Sequence, residues 1–243
     1  MGDTDLKKLV ILKTGATYDN VRARFGDFED WFRAGLGTDL EIHVVDVSAG
    51  EDPGSPEEWD GIAITGSPAM VSDREQWSEL TAAWLLKAVR QSVPVLGVCY
   101  GHQLLADALG GVAGDRAQGR ESGTFDVVLL PEAKSDPLFR DLPEQFPAHL
   151  THQQSALRLP EDAVRLAYSD NEPHQAFRVG TCTWGVQFHP EFTAEVMRAY
   201  LETQAPILRE AGQFPEYLLT KVREAKASAG LLGRFAEFVR TRD

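Results

Sequence analysis

Short apolar runs and longer amphipathic stretches alternate through the first half of the chain. "LVILKTG" ends at Gly15, and from about Tyr18 to Ala34 the residues Val21, Phe25, Phe28, Trp31 and Phe32 recur at helical offsets before "LEIHVVDV" returns to strand character. "GIAITG" is a further strand, residues 75–91 predict a helix with Trp77, Leu80, Trp84 and Ala88 on one stripe, and "VPVLGV" leads into "GHQLLADALGG". Strands alternating with helices predict right-handed βαβ units and a mainly parallel sheet covered on both faces.

Beyond Gly111 the rhythm changes. "FDVVLL", "AVRLAY", "HQAFRVG" and "CTWGVQF" are strand-like runs separated by Pro, Gly and acidic turns, expected to fold back on the sheet with hairpins among them. After Pro190 the pattern is helical to the end, with interruptions expected at Pro206 and near Pro215. Leu231, Leu232, Phe235, Phe238 and Val239 form a stripe that predicts docking of the last helix on the core. Neither an internal repeat nor a low-complexity linker interrupts the chain.

Composition narrows the function classes. The 243 residues are 43% hydrophobic and 25% charged, as in an ordinary soluble globular protein. No apolar run approaches the roughly 20 residues that cross a bilayer, and "MGDTDLKK" lacks the apolar stretch of a secretory signal, so the expected location is cytoplasmic. Lys and Arg total 24 against 37 Asp and Glu, for a net charge of −13 with no basic cluster, which argues against nucleic acid or an anionic membrane as partner. The two cysteines, Cys99 and Cys182, are expected to be free thiols, Cys182 in the core; with no CxxC or His cluster beside them, no metal site is predicted.

"GVCYGHQ", residues 97–103, sets Cys99 between two glycines at a strand-to-helix junction. A nucleophile elbow has this form: the turn is tight, its neighbours must be small, and the thiol stands at the positive end of the next helix, which favours thiolate. The Tyr100 N–H is then free to donate to an oxyanion. A buried packing cysteine is the bland alternative, and a second motif weighs against it. "WGVQFHPEF", residues 184–192, ends a strand with His189 and Glu191 at i and i+2, on one side of an extended chain. An activated thiol needs such a base and a carboxylate to orient it. Both motifs fall at ends of predicted core strands, where open α/β sheets place their sites.

Together "GVCYGHQ" and "GVQFHPEF" resemble the two signatures of the class I, triad-type glutamine amidotransferases, in the flavour of the glutaminase domain of GMP synthetases and their free-standing relatives. The similarity runs in motif order over about residues 6–192. It implies a flavodoxin-like, mainly parallel sheet flanked by helices over residues 1–192, beyond which the chain's own helical pattern predicts a C-terminal helical extension over 193–243 packed on the same domain. It also implies Cys99 as nucleophile, His189 as base and then acid, Glu191 as orienting carboxylate, and hydrolysis of a γ-glutamyl amide through a thioester without metal or organic cofactor. "ITGSPAM", residues 64–70, resembles the family's oxyanion loop, so Gly66 and Ser67 join Tyr100 as candidates there, although many members have a second glycine where Ser67 stands. Gln103 matches a substrate-contacting position, and "HLTHQQSALRLP" resembles the segment that holds the substrate's α-amino and carboxylate groups, which makes His152 and Gln153 candidates. "GRESGTF", residues 119–125, is a further candidate for the pocket lining. His43, His102, His149 and His174 read as structural or surface groups.

The sequence contains neither an S-G-G-x-D-S pyrophosphatase loop nor a GxxxxGK[ST] phosphate loop. Activation of an ammonia acceptor is therefore expected on a separate synthase subunit. The alternative reading is a free-standing γ-glutamyl peptidase or hydrolase acting on γ-glutamyl peptides or amines. A catalytically silent regulatory module is a third, disfavoured by the intact Cys99, His189 and Glu191. The extra helices are suited to a partner surface, a homodimer contact or a lid.

Overall fold

The computed structural model describes residues 6–242. Its central sheet begins with five parallel strands in the order β2 (Glu41–Asp46), β1 (Lys8–Lys13), β3 (Gly61–Ile64), β4 (Val95–Val98) and β11 (Thr183–Val186). This is the flavodoxin-like order, with the last strand supplied from far along the chain. Leu9 to Leu12 and Ile62 to Ile64 are fully buried, the continuous apolar run expected of strands covered on both faces. From β11 the sheet continues antiparallel through β10 (Ala176–Val179), β9 (Val164–Tyr168), β6 (Glu121–Leu129) and β7 (Gln145–His152). A separate antiparallel pair joins β5 (Val112–Asp115) to β8 (Gln154–Arg158). The sequence pattern missed β5, β7 and β8.

Three helical expectations are corrected. The single helix expected over residues 18–34 is two, α1 (Asp19–Phe25) and α2 (Phe28–Leu36). Asp27 stops one and starts the other: its carboxylate accepts the Phe28 N–H at 2.9 Å while Asp30 accepts the Asp27 N–H at 2.9 Å, a reciprocal cap. On α3 (Gln76–Arg90) the buried stripe is Ser78, Thr81, Trp84, Leu85 and Ala88, and Leu80 is 64% exposed. After α4 (Tyr100–Ala108), α5 (Ala194–Glu210) runs through Pro206 instead of breaking there. An interior proline costs about 3 kcal/mol, and burial of Leu201 and Leu208 on either side, at about 1.5–3 kcal/mol each, offsets it.

The expected boundary near Pro215 does occur, since Pro215 opens α6 (Pro215–Lys221). Following α7 (Lys226–Ala229), α8 (Leu231–Thr241) docks as its stripe predicts, with Leu231, Leu232, Phe235 and Val239 fully buried and Phe238 edge-on to Trp184 at 4.9 Å. Its approach is so close that a Cβ on Gly61 would lie 2.6 Å from Val239. Among the described residues no helix is long and apolar enough to cross a membrane.

Candidate active site

Cys99 sits between β4 and α4 with φ 51° and ψ −100°, a positive φ that non-glycine residues seldom adopt. The neighbouring glycines follow from the same turn. A Cβ on Gly97 would fall 2.4 Å from the Gly101 carbonyl oxygen, and one on Gly101 would fall 2.7 Å from Ile64 Cβ, so side chains at either position would push α4 off the sheet. The Cys99 N–H donates to Val186 at 2.8 Å, which ties the turn to β11, the strand that leads into His189. Nucleophile candidate and base candidate are thereby set on adjacent parallel strands.

His189 is buried, and its Nδ1 is 2.7 Å from Glu191 Oε1. Its backbone N–H donates to the His149 carbonyl at 2.8 Å. The imidazole stacks on Phe192 at 4.2 Å and lies near-parallel to Phe28 at 6.5 Å. Nε2 has no conventional hydrogen-bond partner, and the Cys99 side chain lies close enough to affect its proton. Burial alone would lower the His189 pKa. The Glu191 carboxylate and the Cys99 side chain outweigh it and raise the pKa to about 10, so the ring holds its proton readily.

Against this pair lies the loop after β3. A Cβ on Gly66 would stand 3.0 Å from His189 Cε1 and 3.7 Å from Cys99 Cβ. The Gly66 carbonyl accepts hydroxyl hydrogen bonds from Thr14 and Thr65, each 3.0 Å. Across a trans peptide the Ser67 N–H must then point away from those threonines. The Ser67 hydroxyl donates to the Thr14 carbonyl at 2.6 Å and accepts from the Ala69 N–H at 3.1 Å, so a serine in place of the more usual glycine ties this loop to the end of β1. The Ser67 and Tyr100 N–H groups donate to no protein group among the described residues, Tyr100 being the first residue of α4.

A cavity of about 380 Å³ opens over Cys99, in the size range of small-molecule sites. Gln103 lines it with its amide nitrogen donating to the Gln154 carbonyl at 2.7 Å and Gln187 Oε1 at 3.0 Å, which leaves its carbonyl oxygen unclaimed. His152 and Gln153 line it too. The His152 ring is fully engaged, Nε2 with Glu121 at 3.0 Å and Nδ1 with the Gln154 carbonyl at 2.9 Å, so it braces the wall and offers the cavity no free ring nitrogen. Gln153 Oε1 accepts from Arg120 at 3.1 Å.

Among the other histidines, His102 and His149 are buried, and burial pushes their pKa values down to about 3 and about 4. His43 is half-buried beside Glu41, and His174 bonds the Ala156 carbonyl at 2.6 Å. Cys182 is a buried free thiol against the Ser92 carbonyl. Among the described residues no group of three His, Cys, Asp or Glu side chains is placed to hold a metal ion.

Sequence reasoning missed one wall entirely. Tyr200 and Gln204 on α5 and Thr17 and Tyr18 before α1 line the cavity. The Tyr200 hydroxyl is 2.5 Å from the Thr17 hydroxyl, and Gln204 donates to Tyr18 at 3.2 Å and Thr151 at 2.9 Å. The available signal was Tyr200 and Gln204 recurring at i and i+4 on the buried face of a helix whose partner surface the sequence did not reveal.

Comparison with known proteins identifies a family. The sequence model of the family described as glutamine amidotransferase class-I matches residues 31–205, and the chain therefore belongs to that family. It is 30% identical over 190 residues to gamma-glutamyl peptidase 5 of Arabidopsis thaliana, covering 75% of each protein. It is 35% identical over 133 residues to a GMP synthase of Thermosipho africanus, covering 54% of this chain and only 24% of that synthase. In structure it resembles a glutamine amidotransferase from Thermotoga maritima, with a TM-score of 0.75, 25% identity and coverage of 98% and 99% of the two chains.

Proposed function

We propose that the protein hydrolyses γ-glutamyl amide bonds through a thioester on Cys99. The observation that carries this reading is the convergence on one sulfur of a strained strand-to-helix turn, the His189–Glu191 pair and the clasped Gly66–Ser67 peptide. The Cys99 thiolate attacks the γ-carbonyl carbon, and the carbonyl π pair moves to oxygen. The Ser67 and Tyr100 N–H groups receive that oxyanion, each such donor being worth about 2.7–4 kcal/mol of barrier. Because Thr14 and Thr65 hold the Gly66 carbonyl, the Ser67 N–H stands ready before substrate arrives, as does the Tyr100 N–H at the start of α4. His189, protonated on Nε2, gives its proton to the leaving nitrogen as the C–N bond breaks. Water then attacks the thioester, His189 takes its proton, and the C–S bond breaks to release glutamate and return the thiolate. Glu191 keeps Nδ1–H in place through both halves.

With glutamine as donor the amine released is ammonia, for use by a separate synthase subunit. That reading draws on the likeness to the amidotransferase of Thermotoga maritima and to the glutaminase part of GMP synthases. A second reading is the free-standing hydrolysis of γ-glutamyl peptides or amines. One observation favours it: the gamma-glutamyl peptidase of Arabidopsis is matched over three quarters of both lengths. Release of ammonia or amine from glutamine and from a panel of γ-glutamyl peptides and amines, with Cys99→Ala as blank, separates the two. Rapid peptide turnover with weak glutamine hydrolysis favours the second, and selective glutamine hydrolysis the first. Turnover by Cys99→Ala equal to that of the native protein would sink both.

A further inference from the structure

Two arginines stand four residues apart at the entry to β6, and they are used differently. Arg116 is buried and fully engaged. Its guanidinium lies 3.6 Å from Glu121 and 3.4 Å from Glu172 and donates to the carbonyls of Gly119 at 2.8 Å and Asn171 at 2.7 Å. Arg120 borders the Cys99 cavity, and among the described residues that line it Arg120 is the one Lys or Arg. Its Nη2 donates to the neutral Gln153, its Nε is shut away from solvent with no partner, and its Nη1 donates to nothing among the described residues. The carboxylate in the same lining, Asp19, pairs with Arg22 at 2.7 Å.

A chain of net charge −13 thus leaves one cation beside its cavity without a countercharge. The backbone there is firmly held: Glu121 next to it is bound by His152 at 3.0 Å, and the Arg120 carbonyl accepts from Gln213 at 2.7 Å. A preorganised, planar guanidinium with open donors matches a carboxylate better than any neutral group of a γ-glutamyl compound. We infer that Arg120 recognises a carboxylate of the substrate and sets the specificity of the site. The inference rests on the γ-glutamyl reading above. Such a compound offers two sources of this chemistry, the α-carboxylate of the glutamyl moiety and, in a γ-glutamyl dipeptide, the carboxylate of the departing amino acid.

Dissociation constants measured on the full chain carrying Cys99→Ala, with and without Arg120→Gln, test it. The ligands are L-glutamine, 4-aminobutanamide (the same amide without the α-carboxylate), γ-glutamylglycine and γ-glutamylglycinamide. The lost charge-assisted hydrogen bonds should weaken binding by roughly 10- to 100-fold, and only where the recognised carboxylate is present. A loss on L-glutamine and both γ-glutamyl ligands that spares 4-aminobutanamide identifies the α-carboxylate. A loss confined to γ-glutamylglycine identifies the departing amino acid. Arg120→Lys, which keeps the charge but not the fork, should fall between. Equal loss on all four ligands, no loss on any, or no binding of any by the Arg120 protein overturns the inference. If carboxylate discrimination persists while the protein with Cys99 intact turns over none of the four, hydrolysis is the claim that fails and carboxylate recognition stands.

Discussion

Two buried histidine–carboxylate pairs flank the same cavity, and only one is equipped for chemistry. His189 spends Nδ1 on Glu191 and leaves Nε2 without a conventional partner near the Cys99 sulfur. His152 spends both nitrogens, on Glu121 and on the Gln154 carbonyl. The carboxylates differ as well. Each has one oxygen on its histidine and the other buried without a hydrogen-bond partner, but the bonded oxygen of Glu121 also lies 3.6 Å from Arg116, whose guanidinium reaches Glu172 as well. Burial works against the Glu121 charge, yet His152 and Arg116 hold its pKa below the usual carboxylate range. A buried His–acid pair is therefore no sign of catalysis in itself. The test is whether a ring nitrogen remains for a reacting atom.

The largest expected effect breaks the comparison at its centre. Cys99→Ala should lower turnover of any γ-glutamyl substrate by roughly 10⁴-fold or more while thermal unfolding stays cooperative. Next come the members of the His189 pair. His189→Gln should match the cysteine variant, and Glu191→Gln should fall short of it by about one order of magnitude or more, because the imidazole survives and only its tautomer and charge lose support. Equal losses in the two variants under matched assay conditions would contradict the orienting role given to Glu191.

The second pair should answer differently. His152→Ala leaves Glu121 one partner short and the Gln154 carbonyl unbonded on its ring side, for a loss of about 1–3 kcal/mol in stability. Its KM should rise through displacement of the Gln153–Gln154 wall, with the pH dependence of kcat unchanged. Denaturant unfolding and steady-state kinetics read the two parts. A collapse of kcat with unchanged KM would place His152 in the chemistry and erase the distinction.

The unequal legibility of these pairs has a physical basis. "GVCYGHQ" and "HPEF" are local devices in which turn, nucleophile and helix start, or base and acid, lie within a few residues. The parallel strands announce themselves as unbroken apolar runs because both of their faces are covered. By contrast Glu121 and His152 meet across the antiparallel register of β6 and β7, a pairing no local pattern encodes. β7 itself was missed although Phe146, Ala148 and Leu150 alternate on one buried face, because Thr151 on the other face is a polar residue that bonds Gln204 of α5 and disguises the strand. The break between α1 and α2 carried a local signal, Asp27 followed three residues later by Asp30, which the helical spacing of Val21 to Phe32 overrode in the sequence reading.

A last effect is purely thermodynamic and follows from the raised pKa of His189. Its ordinary value is 6.5 and its folded value about 10, so the folded state binds this proton more tightly than the unfolded chain. The resulting stabilisation is fully present below pH 6.5 and is lost as pH rises through 10. Glu191 and Cys99 are the groups that oppose burial to produce the shift, so the window should narrow in Cys99→Ala and vanish in His189→Gln. Urea midpoints at pH 6, 8 and 10 for the three proteins measure it. The native protein's advantage over His189→Gln should shrink steadily across that range, with Cys99→Ala losing its share at lower pH. An advantage that grew with pH would mean the ring is buried neutral, and the imidazolium required as proton donor to the leaving nitrogen would have no stable resting form.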